Sequence, residues 1–278
     1  MNMKKNSSIK LIVCGAAGRM GSRILQLASE DDSFEVVGAI EAKNYAGVGS
    51  AMALAHANGC DAVEGQKISI SSSLSDIISY ADVLIDFTQP DATLEHVREA
   101  VRARKGIVIG TTGLSKAQME ELSEAGHKIP IVQAPNMSVG MNILFKLSEM
   151  LGMQLDDSYD IEIIEAHHRF KNDAPSGSAL EIARQAARGR KVNLDEAALY
   201  GRKGFTGERK KGSIGIHALR GGDVVGEHTI RFMTQGEMIE LTHRASSRDA
   251  FAQGALRAAK FVYGKRPGLF NMQNVLGL

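Results

Sequence analysis

The chain has 278 residues, of which 44% are hydrophobic and 23% charged, as is typical of a globular protein with a buried core. It carries 33 Lys and Arg against 32 Asp and Glu residues, so no overall charge attracts nucleic acid or an anionic membrane. Because two cysteines make no disulfide framework, and no run resembles a signal peptide or approaches the ~20 apolar residues that span a bilayer, a cytoplasmic protein is predicted.

The first half of the chain alternates short apolar runs with helical periodicity. Apolar runs that predict buried strands occur at 9–14, 34–40, 83–87, 106–110 and 131–133. A helical pattern follows the first run, and helices are predicted at 92–104 and 115–125, where Ser115 and Gln118 have capping-box spacing. This alternation predicts an α/β fold with a Rossmann-like doubly wound parallel sheet, in which ligands bind at the carboxyl ends of the strands.

The second half of the chain predicts an α+β domain. Helices are predicted at 139–151 and 178–188, and strands at 160–166, 213–219, 224–233 and 237–245. The last three strands are joined by Gly221-Gly222 and Gln235-Gly236, which predicts an open, largely antiparallel meander. Residues 1–137, completed by 247–278, are therefore predicted to form one domain, and residues 138–246 the other.

A glycine turn follows the first predicted strand and opens a helix. Gly15, Gly18 and Gly21 would let the backbone approach a pyrophosphate, and the helix N-terminus would attract its charge. The spacing departs from the usual G-x-G-x-x-G because Ala16 takes the place of the second glycine. A plain strand-to-helix turn is therefore the alternative interpretation.

An acidic residue ends the second predicted strand. Glu41 stands where a carboxylate can accept hydrogen bonds from the ribose of a dinucleotide, although a solvated surface glutamate is the alternative. A carboxylate there would repel the 2′-phosphate of NADP unless a cation lies beside it. Lys43 is two residues away, and Arg19 inside the glycine turn adds a cation for the other phosphates.

Two adjacent histidines and a lysine form the most chemically dense part of the sequence. His167 and His168 follow each other on a predicted strand and so point to opposite faces, and no third ligand lies nearby at metal spacing. We therefore predict no metal site. Histidines more readily act as an acid and a hydrogen-bonding group, and Lys171 can neutralise a carboxylate or donate a proton.

The segment Ser176-Gly177-Ser178 then opens a helix. Its N-terminus can bind an anion such as a substrate carboxylate, with Lys171 beside it. The alternative is a helix cap without any ligand, in which Ser178 and Glu181 form a capping box.

Several motifs together resemble the dihydrodipicolinate reductase family over nearly the whole chain. They lie at 15–21, 86–88, 110–113, 134–138, 165–171, 173–179, 246–248 and 268–272. The resemblance implies NADH- or NADPH-dependent reduction of 4-hydroxy-tetrahydrodipicolinate (dihydrodipicolinate) to tetrahydrodipicolinate in the diaminopimelate and lysine pathway. It also implies a small cyclic dicarboxylate as substrate, a homotetramer formed through the sheet of the second domain, and a final segment that packs on the first domain.

The resemblance further implies a role for individual residues. His167 would be the acid/base residue and Lys171 the proton donor. The substrate would be held by His168, Lys171, Ser176, Gly177 and Ser178. The cofactor would be held by Gly15, Ala16, Ala17, Gly18, Arg19, Met20, Glu41, Phe87, Thr88, Gly110, Thr111, Thr112, Ala134, Pro135, Asn136 and Met137.

The sequence departs from the family pattern at two cations. Ala42 follows Glu41 where family members often have arginine, and Gln89 stands where another arginine is common. Both arginines could assist binding of a 2′-phosphate, so we predict dual cofactor use or a preference for NADH. Ser178 replaces the more usual threonine and keeps the hydroxyl.

Two other functions are weighed against this interpretation. A semialdehyde dehydrogenase of the amino-acid pathways needs an activated cysteine at the cofactor, but Cys14 falls in the first strand and Cys60 in an alanine-rich region. A non-catalytic dinucleotide sensor would not need the histidines and the lysine.

Overall fold

The computed structural model describes residues 8–53 and 67–278, which form two compact units. The first unit extends to Ser138 and takes in Phe251–Gly277, and the second comprises Val139–Ala250 and Leu278. Cys60 lies outside the described residues. In the described part of the chain, no helix combines the length and the apolar character needed to cross a bilayer.

Strands and helices follow one another along the described chain. The strands are β1 (Ile9–Cys14), β2 (Phe34–Ile40), β3 (Ala51–Ala53), β4 (Lys67–Ser71), β5 (Val83–Asp86), β6 (Gly106–Ile109), β7 (Pro130–Gln133), β8 (Asp160–His167), β9 (Ala198–Tyr200), β10 (Ile214–Arg220), β11 (Gly226–Thr234), β12 (Glu237–Ala245) and β13 (Gly268–Phe270). The helices are α1 (Gly21–Ser29), α2 (Pro90–Ala103), α3 (Lys116–Gly126), α4 (Val139–Gln154), α5 (Gly177–Arg190), α6 (Leu194–Ala197), α7 (Asp249–Val262) and α8 (Met272–Leu276), with a 3-10 turn at Ile78–Tyr80.

The sheet of the first unit has the strand order β13-β7-β6-β5-β1-β2-β4-β3, and all its pairs are parallel except β3 with β4. Leu11 and Val13 pack into the hydrophobic cluster on one face, and Ile12 and Cys14 pack into the cluster on the other. Because both faces are covered, β5 and β6 are buried throughout, as their apolar runs predicted. The predicted doubly wound sheet is confirmed.

The strand order reverses between β1 and β5. From β1 the chain moves outward to β2 and β4, then returns to β5 on the other side of β1 and continues to β6 and β7. The connections after β1 and β5 therefore diverge. They leave a crevice beyond Cys14 and Asp86, the last residues of these two strands, where ligands bind in sheets of this type.

The second unit contains a mixed sheet in the order β12-β11-β8-β10-β9. Ile163 and Phe232 belong to the core on one of its faces, together with residues of α4 and α5. β11 and β12 pair antiparallel around Gln235-Gly236, as predicted. The hairpin predicted at Gly221-Gly222 is wrong, because β8 lies between β10 and β11. The Gly221 amide instead donates to the carbonyl of His167, at the end of β8.

Candidate active site

The turn between β1 and α1 depends on glycines that leave no room for a side chain. Gly15 has a φ of +76°, and a Cβ added there would lie 2.5 Å from the carbonyl oxygen of Phe87. A Cβ at Gly21 would overlap the carbonyl oxygen of Gly15, so the turn folds tightly back onto the start of α1. Met20 provides no side-chain cap, and the first turn of α1 has no acidic residue. This helix N-terminus is therefore suited to an anion.

A cavity of about 570 Å³ lies at the crevice, and we call it the switch-point pocket. Five predicted cofactor residues line it: Gly15, Gly18, Glu41, Phe87 and Thr88. They offer close backbone approach at the glycines, a carboxylate for ribose hydroxyls and an apolar ring. This set of groups fits a dinucleotide.

Glu41 is bonded to the glycine turn. Its Oε1 accepts a hydrogen bond of 2.7 Å from the Ala17 amide, and its Oε2 accepts one of 3.2 Å from the Ala42 amide. Glu41 is therefore an ordered part of the pocket wall, which disfavours the alternative of a solvated surface glutamate.

Asp86 is buried at the end of β5 and ties the neighbouring loops together. Its Oδ1 accepts hydrogen bonds from the hydroxyls of Thr88 at 2.8 Å, Thr93 at 2.8 Å and Thr111 at 3.0 Å. Its Oδ2 lies 2.5 Å from Nδ1 of His96. Burial raises the pKa of Asp86, but the hydrogen bonds from His96 and the threonines outweigh it and lower the pKa below its usual value. An ionised Asp86 thus fixes Thr88 and His96 at the pocket.

Cys14, Asp86 and His96 are the one set of potential metal ligands found in the described part of the chain, with ligand atoms within 4.8 Å of one another. The Asp86 carboxylate is already bonded to three hydroxyls and an imidazole. Burial, followed by the charges of Asp86 and Glu99, raises the pKa of the Cys14 thiol well above its usual value of 9.0. Because a thiolate is the metal-binding and nucleophilic form, we assign neither a metal nor a nucleophilic role to Cys14.

The remaining predicted cofactor residues follow the carboxyl ends of β1, β6 and β7, outside the lining of the switch-point pocket. Arg19, Thr112 and Pro135 are exposed; Ala17, Met20, Gly110 and Asn136 are half-buried; Ala16, Thr111, Ala134 and Met137 are buried. The ring of Phe87 occupies the space where a side chain at Gly110 would lie, which brings two of the predicted loops together.

Five pocket residues were not predicted to lie near the cofactor: Ile40, Ser72, Ala92, Glu95 and His96. Ala92 and His96 are four residues apart on α2 and so lie on one face of a helix that begins just beyond β5. That spacing could have indicated His96. Ser72 follows β4 in a segment without a recognisable pattern.

In the second unit, β8 ends in a buried carboxylate–imidazole pair. Oε2 of Glu165 lies 2.6 Å from Nδ1 of His167, and Arg220 donates to both carboxylate oxygens at 2.7 and 2.8 Å. The amide of Ser176 donates to Oε1 at 2.9 Å. Burial raises the pKa of Glu165, but the hydrogen bonds from His167, Arg220 and Ser176 lower it to about 2. His167 therefore lies beside a fixed negative charge.

His228 on β11 was not predicted as part of this site. Its ring packs edge to face with that of His167 at 5.1 Å, and its Nε2 lies 3.0 Å from Oγ of Ser176. Burial, and then the charge of His167, lowers the pKa of His228 to about 3, so this histidine is neutral. The alternation of β11 could have signalled it, since His228 points to the same face as the core residues Ile230 and Phe232.

His168 and Lys171 lie in the loop after β8. Nδ1 of His168 is buried and has no hydrogen-bond partner among the described residues. Nζ of Lys171 donates to Oδ1 of Asp173 at 2.8 Å, and the Asp173 side chain is 62% exposed. A substrate carboxylate can therefore replace Asp173 as the partner of this ammonium group.

Helix α5 begins beside the same pair. Ser176 is its N-cap and accepts a hydrogen bond from the first turn at 3.1 Å. The capping box predicted for Ser178 and Glu181 is wrong, because the helix begins at Gly177 and its cap lies two residues earlier than expected. Gly177 is exposed and Ser178 half-buried, so the start of α5 is accessible to an anion.

Two family models match the chain. The model described as dihydrodipicolinate reductase, N-terminus, matches residues 9–137, and the model described as dihydrodipicolinate reductase, C-terminus, matches residues 140–276. The chain belongs to the dihydrodipicolinate reductase family. The predicted resemblance is confirmed, and it spans both units of this family member.

Individual relatives agree with this membership of the dihydrodipicolinate reductase family. The 4-hydroxy-tetrahydrodipicolinate reductase of Syntrophus aciditrophicus is 46% identical over 269 residues, which cover 97% of this chain and 98% of the relative. That of Aquifex aeolicus is 46% identical over 274 residues, which cover 98% of this chain and all of the relative. The dipicolinate-bound dihydrodipicolinate reductase of Paenisporosarcina sp. TG-14 has the same fold, with a TM-score of 0.74 at 24% identity, covering 95% of this chain and 98% of that one.

Proposed function

We propose that this chain is an NAD(P)H-dependent oxidoreductase that reduces 4-hydroxy-tetrahydrodipicolinate (dihydrodipicolinate) to tetrahydrodipicolinate in the diaminopimelate and lysine pathway. The observation that carries the proposal is the placement of His167, paired with the ionised Glu165, beside the accessible start of α5 at Gly177. A reductase that acts on a small cyclic dicarboxylate needs an acid and an anion site next to each other.

NADH or NADPH, when bound, supplies the hydride. In the proposed arrangement Gly15 and Gly18 admit the phosphates, Glu41 accepts from the ribose hydroxyls, and Phe87 and Thr88 form the adjoining wall. The other residues proposed to contact the cofactor are Ala16, Ala17, Arg19, Met20, Gly110, Thr111, Thr112, Ala134, Pro135, Asn136 and Met137.

The residues of the second unit orient and protonate the substrate. His168, Ser176, Gly177 and Ser178 hold the carboxylates. Loss of water from 4-hydroxy-tetrahydrodipicolinate gives a ring in which a carbon–carbon double bond is conjugated to the imine. Hydride addition to this ring moves electrons toward the ring nitrogen and leaves an enamine-type carbon that must take up a proton. Lys171 donates that proton, and Nε2 of His167 acts as the acid/base atom because Nδ1 is bonded to Glu165.

We also propose a division of labour between the two domains. Residues 1–137, completed by 247–278, bind the dinucleotide, and residues 138–246 bind the substrate and form a homotetramer. Leu219 and Met238 support the second role, since these apolar side chains are 56% and 53% exposed on the sheet face that points away from the helix-covered core. The enzyme acts in the cytoplasm, without a nucleic-acid or membrane partner.

An assay of cofactor oxidation with the cyclic substrate tests the proposal. His167→Ala should lower kcat by roughly 10²–10⁴-fold, the usual contribution of a positioned acid, while the cofactor Kd stays unchanged. Unchanged turnover in His167→Ala contradicts the role of the imidazole. A wild-type protein that binds the cofactor but does not turn over the substrate would favour a dinucleotide sensor instead.

A further inference from the structure

Glu165 is a fully buried carboxylate to which the proposed reaction assigns no step. Its two oxygens accept hydrogen bonds from four directions: once from the His167 imidazole, twice from the Arg220 guanidinium and once from the Ser176 amide. These donors come from β8, from β10 and from the residue that caps α5. A buried ion is costly unless it is fully paired, and this one is fully paired at the point where the acid and the anion site meet.

We infer that Glu165 is a positioning residue, whose single carboxylate sets both the orientation of His167 and the start of α5 that receives the substrate carboxylate. This inference rests on the proposed function. Glu165 acts only through His167 and Ser176 and does not itself touch the substrate.

The bond to His167 selects the reacting nitrogen. A carboxylate only accepts hydrogen bonds, so Nδ1 of His167 carries its hydrogen toward Oε2 and Nε2 is left to exchange a proton with the substrate. The backbone leaves space at that edge of the ring, because Gly226 has no side chain and a Cβ there would lie 3.2 Å from Nε2.

The charges around His167 act together with Glu165. Arg220 on β10 balances the carboxylate and also donates to the carbonyl of Asp173 at 2.6 Å, which holds the loop that carries Lys171. His228 on β11 is neutral and adds no competing charge. The charges of His243 and Lys171 also act on His228 and lower its pKa.

The same strand offers a matched control. Glu162 is likewise a largely buried carboxylate that accepts from two arginines, Arg202 at 2.7 Å and Arg209 at 3.1 Å, and lies 2.7 Å from Nε2 of His217. It has no bond to His167. Glu162→Gln therefore removes a comparable network while leaving the proposed positioning intact.

The experiment compares Glu165→Gln with Glu162→Gln in the full chain. Glu165→Gln should lower kcat by roughly 10²-fold, raise KM for the dicarboxylate and leave the cofactor Kd unchanged. Glu162→Gln should leave kcat and KM as in the wild type, and equal losses in both variants would overturn the inference.

Two further measurements separate positioning from general structural damage. In a His167→Ala background, Glu165→Gln should lower kcat by less than about threefold, because residues that act as a unit are not additive. If Glu165→Gln lowers kcat in the His167→Ala background by the same factor as in the wild type, the inference is overturned. Nitrogen–proton NMR of the free protein should show a His167 Nδ1–H that exchanges slowly with solvent in the wild type and Glu162→Gln. The same proton should exchange faster in Glu165→Gln, because a neutral amide oxygen accepts a hydrogen bond more weakly than a carboxylate. Equal protection in Glu165→Gln overturns the inference even if the wild type does not reduce the proposed substrate, which would refute only the proposed function.

Discussion

Glu162 and Glu165 lie three residues apart on β8 and face opposite sides of the sheet, yet each is enclosed by arginine and histidine side chains. Arg202 and His217 contact the first, and Arg220 and His167 contact the second. The strand thus places one carboxylate on each face of the sheet. Each carboxylate is balanced by neighbouring arginines and is kept away from bulk water.

Both carboxylates should make the second unit sensitive to acid. Burial raises the pKa of each, but the hydrogen bonds from arginine and histidine lower it from 4.5 to about 2. Since the folded pKa lies below the unfolded one, the stabilisation is complete above pH 4.5 and disappears as the pH falls toward 2. The lowering corresponds to about 3 kcal/mol for each group.

Hydrogen exchange of the β8 amides at pH 7, 4.5 and 3 measures this loss. As far as these two carboxylates are concerned, the protection of the amides should be similar at pH 7 and pH 4.5. It should fall steeply between pH 4.5 and pH 3. In Glu162→Gln the fall over that interval should be shallower. A variant with the same steep fall as the wild type would show that Glu162 is not one of the titrating groups.

The composition of the switch-point pocket predicts which cofactor is preferred. Among the described residues that line it, Lys43 is the only Lys or Arg; Glu41 repels a 2′-phosphate, and Gln89 provides no charge. We expect kcat/KM with NADH to equal or exceed that with NADPH. Gln89→Arg should raise the ratio of kcat/KM with NADPH to kcat/KM with NADH roughly tenfold, which is the effect of one charge-assisted hydrogen bond.

Parallel assays with the two cofactors check this expectation. Gln89→Met serves as the control, because it keeps the length of the side chain without adding a charge. It should leave the ratio unchanged. A strong preference of the wild type for NADPH would contradict the prediction.

Cys14 should be unreactive in the folded protein. Its side chain is buried in β1, and burial with the nearby carboxylates raises the pKa of the thiol. Iodoacetamide at pH 8 should therefore leave Cys14 unmodified until urea unfolds the chain, as peptide mass spectrometry can show separately from Cys60. Rapid alkylation of Cys14 in the folded protein would contradict this prediction and would support a nucleophilic cysteine.

Features that depend on neighbouring residues were predictable from the sequence. The apolar runs of β5 and β6 predicted strands buried on both faces, and Ser115 and Gln118 form the expected capping box at α3. The glycine turn was recognisable because the need for a tight backbone is encoded at Gly15 and Gly21 themselves.

Features that depend on distant residues were not predictable. Nothing local indicates that β8 inserts between β10 and β11, so a meander was expected. Arg220 is 55 residues from Glu165, and His228 is 52 residues from Ser176, so the network around His167 appears only when the sheet is assembled. The cap of α5 was misplaced because Ser176 and Ser178 are chemically equivalent, and the bond between Glu165 and the Ser176 amide fixes where the helix starts.

The space beside His167 provides a last prediction. Gly226→Ala would place a methyl group 3.2 Å from Nε2 of His167, on the edge of the ring that is proposed to meet the substrate. Its kcat should fall roughly tenfold, because small displacements of a reacting group are costly, and its cofactor Kd should not change. Gly221→Ala is the control, since a Cβ there meets no atom within 4 Å and its amide still donates to the carbonyl of His167. Steady-state kinetics of both variants decide the matter: full activity in Gly226→Ala would show that the proton does not pass through this edge of the imidazole.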